Sequence, residues 1–151
     1  MKLLVAVLFI TLITGSLSCL RTSTCSCPDL STLLKNPQNT LYTKGEGCIT
    51  NVTCSSGGGT YTRSLWNETE IPKPIDMLPF SAMFVDSGTL EVPVNLYTLN
   101  GYVCENGVWY VTKYSTYGVT YFTTGNDLKE LKGDLDGLKS KIATIYCEKW
   151  P

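Results

Sequence analysis

The chain has 151 residues, with 12 Lys and Arg set against 13 Asp and Glu. That near-neutral balance lacks the basic excess by which a nucleic-acid binder is recognised. Histidine is absent, which removes the commonest general base, the commonest metal ligand, and the Ser-His and Cys-His catalytic pairs.

The first element is a leader. Met1-Lys2 is a short basic start, residues 3–13 are apolar apart from Thr11, and residues 14–18 are mostly small or polar, the layout of a secretory signal peptide. It is expected to span residues 1–18, leaving a single extracellular domain at 19–151 of about 130 residues, enough for one hydrophobic core. No later stretch reaches the about 20 apolar residues a spanning helix needs, so no membrane anchor is expected. Seven cysteines follow at positions 19, 25, 27, 48, 54, 104 and 147. Behind a leader, such usage reads as disulfides. A cut after Ser18 keeps all seven and a cut after Cys19 leaves six. The reading adopted is six paired cysteines, with Cys19 removed or left as an extra thiol. Acylation of Cys19, as in a bacterial lipoprotein, is the alternative, although Ser16 stands where Leu is usual.

Beyond Leu20 itself, residues 20–39 carry only Leu30, Leu33 and Leu34 to bury and read as a cysteine-tethered strap with one helical turn at 30–35. Residues 49–53 are rich in β-branched side chains and predict a strand. The glycines at 57–59 lack the Lys-Ser/Thr sequel of a phosphate loop and predict a plain loop. Residues 71–75, Ile-Pro-Lys-Pro-Ile, must be extended and link two strands. Leu90, Val92, Val94 and Leu96 alternate with other residues, which predicts a half-buried edge strand. Asn106-Gly107 lies between apolar runs and predicts a hairpin, because both residues tolerate the positive φ of a type I′ turn. With 117–123 as a further β-rich run, residues 81–123 read as an antiparallel meander. Leu128, Leu131, Leu135, Leu138 and Ile142 recur at three-four spacing and predict a helix over 127–138, capped from 124–127, then a strand at 141–147.

The sequons at Asn51 and Asn67 are candidate N-glycan acceptors. Tyr110, Tyr114, Tyr117 and Tyr121 form a dense aromatic stretch suited to binding a glycan or an extracellular protein, with strand packing as the plainer reading. Trp66 and Trp109 are expected in the core. No cofactor or metal site is expected. A histidine-free hydrolase would need two close carboxylates. Asp76, Asp86, Glu91 and Glu105 are the candidates, and nothing in their spacing selects a pair.

The segments Cys25-Ser26-Cys27-Pro28, Gly47-Cys48 to Thr53-Cys54, Val103-Cys104 to Val108-Trp109, and Ile145-Tyr146-Cys147 resemble the nematode six-cysteine extracellular domain, often called the C-six domain, across residues 25–147. The resemblance implies an extracellular protein with no established molecular activity. It also implies a bond between the first and third cysteines, Cys25 and Cys48. Cys27, Cys54, Cys104 and Cys147 can pair in three ways, of which Cys54 with Cys104 and Cys27 with Cys147 is the expectation. Cys54, Trp66 and Tyr102-Val103-Cys104 are also similar to the core signature of an immunoglobulin-like sandwich. The chain is therefore expected to be a mainly β, antiparallel, sandwich-like domain stapled by disulfides, with one short C-terminal helix. Its expected role is extracellular binding or structure, with a secreted hydrolase, effector or matrix component as alternatives.

Overall fold

Alternating burial along short β-branched and aromatic segments produces three antiparallel sheets in the computed structural model, which describes residues 24–54, 59–87, 93–114, 116 and 118–148. The first sheet runs β1 (Thr40–Lys44), β2 (Thr50–Cys54), β5 (Val94–Asn95). The second runs β10 (Ser140–Lys141), β7 (Val108–Val111), β6 (Val103–Glu105). The third has five strands in the order β11 (Thr144–Tyr146), β3 (Tyr61–Leu65), β4 (Ala82–Asp86), β8 (Val119–Phe122), β9 (Leu128–Leu131). The inner faces bury Val52, Met83, Val85, Val111, Val119 and Ile145 completely, and Trp66 and Trp109 join this core as expected.

The strap forms a 3-10 turn at Leu30–Leu33, close to the predicted turn. Asp29 caps it by accepting from the Ser31 N–H, and the Trp109 indole donates to the Pro28 carbonyl at 2.8 Å, pinning the strap to the second sheet. The predicted hairpin is present: Asn106 and Gly107 have φ of 51° and 78° between β6 and β7, the left-handed angles a type I′ turn requires.

The meander does not form. Strands β4, β5 and the β6–β7 hairpin go to three different sheets, and β4 pairs with β3 and β8. Residues 90–92 of the run predicted as a strand over 90–97 lie outside the described residues. Its described end supplies only the two residues of β5, because the Asn95 side chain accepts from the Tyr97 N–H and caps α1 (Leu96–Leu99). Among the described residues the one short α-helix is therefore here, and the helix predicted at 127–138 is absent. In its place β9 pairs with β8, and the Thr123 hydroxyl accepts from the Asp127 N–H to close the hairpin instead of starting a helix. Leu128 is 60% exposed while Leu135 and Ile142 are buried, so the leucines share no buried stripe. Gly133 and Gly137, at φ of 150° and 93°, break any helix. The predicted last strand is split into β10 and β11.

The disulfides are Cys25–Cys48, Cys27–Cys104 and Cys54–Cys147. The first is the expected one. The other two correct the expected pairing of Cys54 with Cys104 and Cys27 with Cys147, because β2 and the end of β11 converge while the strap runs beside β6. With Cys54 bonded to Cys147, the immunoglobulin-like bond against Trp66 does not exist.

Candidate functional site

The five-stranded sheet has one face in the core and one toward solvent. Along β3 the inward side chains are Thr62 and Ser64, both fully buried, and the outward ones are Tyr61, Arg63 and Leu65. The same alternation turns Phe84 and Asp86 outward from β4, Thr120 and Phe122 from β8, and Thr144 and Tyr146 from β11. The register sets Tyr146 opposite Tyr61, and Arg63 opposite Phe84. A continuous row of rings results. Tyr146 stacks on Tyr61 with centroids 5.2 Å apart and planes at 14°. Tyr61 meets Phe84 edge-on at 5.1 Å, and Phe84 meets Phe122 edge-on at 6.2 Å. Phe122 is 37% exposed and its cross-strand neighbour Leu128 is 60% exposed. Such a row, with a guanidinium beside it, has the composition that dominates protein contact surfaces.

The tyrosine stretch chosen from the sequence is not that surface. Tyr114 and Tyr121 are buried. The Tyr114 hydroxyl is bonded to Ser140 at 2.6 Å, and burial pushes its pKa up to about 12. Tyr121 donates to Asp76 at 3.0 Å and packs edge-on against Trp66. Tyr110 is half-buried in β7, and Tyr117 lies outside the described residues. The two buried rings are packing residues, because each turns to the interior side of its segment. The outer-face aromatics are scattered over residues 61–146, and only strand registry brings them together.

Of the sequon asparagines, Asn67 is exposed in a 3-10 turn, Trp66–Glu68. Asn51 is half-buried in β2, its side-chain oxygen accepting from Thr53 at 2.6 Å. The candidate carboxylates are dispersed. Asp76 receives Lys129 at 2.5 Å as well as Tyr121, and those two bonds hold it below the usual carboxylate range. Asp86 is on the outer face, and Glu91 is outside the described residues. Glu105 receives Lys139 at 2.6 Å in a polar cleft of about 430 Å³, where Glu68 is likewise held by Lys141. The two lysines of this cleft are thus each engaged by a carboxylate.

The sulfurs of Cys25, Cys48 and Cys104 lie within 4.8 Å of one another. Each is spent in a disulfide and offers no thiolate to a metal. No helix of the described residues is long and apolar enough to cross a membrane. The predicted leader and Cys19 lie outside the described residues.

No curated protein and no solved structure matches the chain. The family described as TRA-1 regulated protein R03H10.4 matches residues 23–147, which takes in all six bonded cysteines and every strand described above. On that match the chain belongs to the TRA-1 regulated protein R03H10.4 family.

Proposed function

We propose that the protein is a secreted, N-glycosylated recognition module that holds an extracellular protein partner against the outer face of its five-stranded sheet. Three disulfides support an oxidising compartment. The predicted leader and the likeness to the nematode six-cysteine extracellular domain point the same way. Asn67 is the favoured glycan acceptor, since its turn presents it to solvent.

The observation that carries the reading is the ring row from Tyr146 through Tyr61 and Phe84 to Phe122. Two of its three contacts are edge-on, at 84° and 89°, so the rings make a ridge and not the coplanar platform on which flat sugar chains stack. A ridge of rigid aromatics flanked by Arg63 suits the pockets of a protein surface.

A photocrosslinking residue at position 63 tests this, with position 113, exposed and outside the sheet, as the control. The expected result is one protein captured from position 63 and not from 113. Purified, that protein should bind the wild type and lose about tenfold in affinity to Tyr61→Ala and to Phe84→Ala. Affinities unchanged in both variants would sink the reading.

A further inference from the structure

Two of the disulfides share one neighbourhood. Cys25–Cys48 ties the start of the strap to the turn between β1 and β2, and Cys27–Cys104 ties it to β6. The sulfurs of Cys25, Cys48 and Cys104 all lie within 4.8 Å of one another, so Cys104 is near both atoms of a bond to which it does not belong. All four of these cysteines are partly exposed, whereas Cys54 and Cys147 are fully buried. Thiol–disulfide exchange depends on access to the sulfurs, and the fold gives it to this pair of bridges and withholds it from Cys54–Cys147.

Two further features decide which bond opens. A pocket of about 180 Å³ is walled in part by Cys25, Cys27 and Cys48, but not by Cys104. A small thiolate in that pocket meets Cys27, with Cys104 as the group to be expelled. The Ser26 hydroxyl stands 3.5 Å from the Cys104 sulfur. A bridged sulfur carries no proton, so the hydroxyl is the donor. That contact strengthens as negative charge develops on Cys104, and a stabilised leaving thiolate departs faster.

We propose that these two bridges form an exchange unit, which a small thiol of the cysteine or glutathione class switches between two pairings. The thiolate attacks the Cys27 sulfur, forms a mixed disulfide there and expels Cys104 as a thiolate. Cys104 then attacks Cys48, forming Cys48–Cys104 and expelling Cys25. Attack on Cys48 is the productive choice, because the Cys25 it frees is two residues from the mixed disulfide that must be resolved. The Cys25 thiolate attacks Cys27, closes Cys25–Cys27 and returns the small thiolate. Every bond broken is matched by one formed, and nothing is oxidised or reduced overall. In the second pairing the first and second sheets are bonded to each other directly. The start of the strap is then held only by contacts such as that of the Trp109 indole with the Pro28 carbonyl.

The test is incubation of the folded, oxidised protein with glutathione, then alkylation with N-ethylmaleimide and tryptic mapping without reduction. The segment between Arg21 and Lys35 carries both Cys25 and Cys27. It stays linked to other peptides in the first pairing and comes away with an internal bridge in the second, leaving Cys48 joined to Cys104. The expected result is growth of that free segment at a rate proportional to glutathione, with Cys54–Cys147 intact throughout. Ser26→Ala, a change at an exposed position, should slow the growth about three- to tenfold. In Cys27→Ser, which leaves Cys104 as a thiol, Cys48–Cys104 should form with no glutathione added and the alkylated site should move to Cys25. Absence of Cys48–Cys104 from both proteins, exchange of Cys54–Cys147 at the same rate, or an unchanged rate in Ser26→Ala would each overturn the proposal.

Discussion

Replacing Cys54 and Cys147 together by alanine removes the bond that closes the longest covalent loop of the fold, between residues 93 apart in sequence. In the chain-entropy account, a loop of that size restricts the unfolded chain by about 4.7 kcal/mol, against about 3.5 kcal/mol for the Cys25–Cys48 loop of separation 23. The other two bridges shorten the route between Cys54 and Cys147 in the unfolded chain, which trims the larger figure to about 4 kcal/mol. Both sulfurs are fully buried, so the alanines add a small cavity cost. The backbone clamp there survives, since Asn36 still accepts from the Cys147 N–H at 3.1 Å and donates to its carbonyl. With an unfolding entropy of about 2.1 cal/mol/K per residue, a loss of this size lowers Tm by roughly 15 °C. Equilibrium guanidinium melts of the wild type, the Cys54→Ala/Cys147→Ala pair and the Cys25→Ala/Cys48→Ala pair provide the measurement. The midpoint should fall further for the first pair than for the second. An inverted order would refute loop closure as the source of the stabilisation.

Three further outcomes are expected. The Tyr102 hydroxyl is buried against Thr62, whose Oγ1 also accepts from Asn100 at 3.0 Å; Tyr102→Phe removes one buried hydrogen bond without a cavity and should cost about 1 to 2 kcal/mol in a urea melt. Gly118 sits at φ of 69°, and an added Cβ there would meet the Leu131 carbonyl oxygen at 2.1 Å; Gly118→Ala should destabilise by more than about 2 kcal/mol and loosen amide protection across β8 and β9 in hydrogen exchange. Lys44, and then Tyr42, hold the Asp29 carboxyl well below its ordinary range. A depressed folded-state pKa adds stability above the unfolded value of about 3.9 that is lost as pH falls toward the folded one; Asp29→Asn, which keeps the capping acceptor, should flatten stability from about pH 5 downward, by no more than about 1 kcal/mol for so exposed a pair.

Local features were legible and long-range ones were not. Asn106-Gly107 announces its hairpin because the turn needs only the angles those two residues tolerate. The 3-10 turn after Asp29 and the strand ending at Cys54 are likewise specified by neighbouring residues. The failures share a cause. Leu128 to Leu138 carry helical spacing, but pairing of Leu128–Leu131 with β8 outweighs a weak propensity interrupted by two glycines. The cysteine partners depend on which strands become neighbours, as β2 does with the end of β11, and no spacing rule encodes that. The aromatic row escaped for the same reason: Tyr61, Phe84, Phe122 and Tyr146 each look ordinary in sequence, and only a five-strand register makes them contiguous. The Tyr110 to Tyr121 stretch misled because closeness in sequence says nothing about which side of a strand a ring takes.

The edges of that sheet favour contact through its face over addition of a further strand. At one edge β11 is covered by the strap: Leu34 bridges Ile145, and the Lys35 N–H donates to the Ile145 carbonyl at 2.9 Å. At the other edge β9 places exposed Lys129 and Glu130 at its centre. A second copy adding antiparallel about either residue would set lysine against lysine or glutamate against glutamate, because opposed residues must share a face of the sheet. Such charges on an edge strand are a familiar device against edge-to-edge association. With β11 covered and β9 charged, the partly exposed ring row on the solvent face is the larger apolar opportunity the sheet presents. A partner that docks on this sheet therefore meets side chains before backbone, and its affinity should respond to Phe84→Ala far more than to changes along β9.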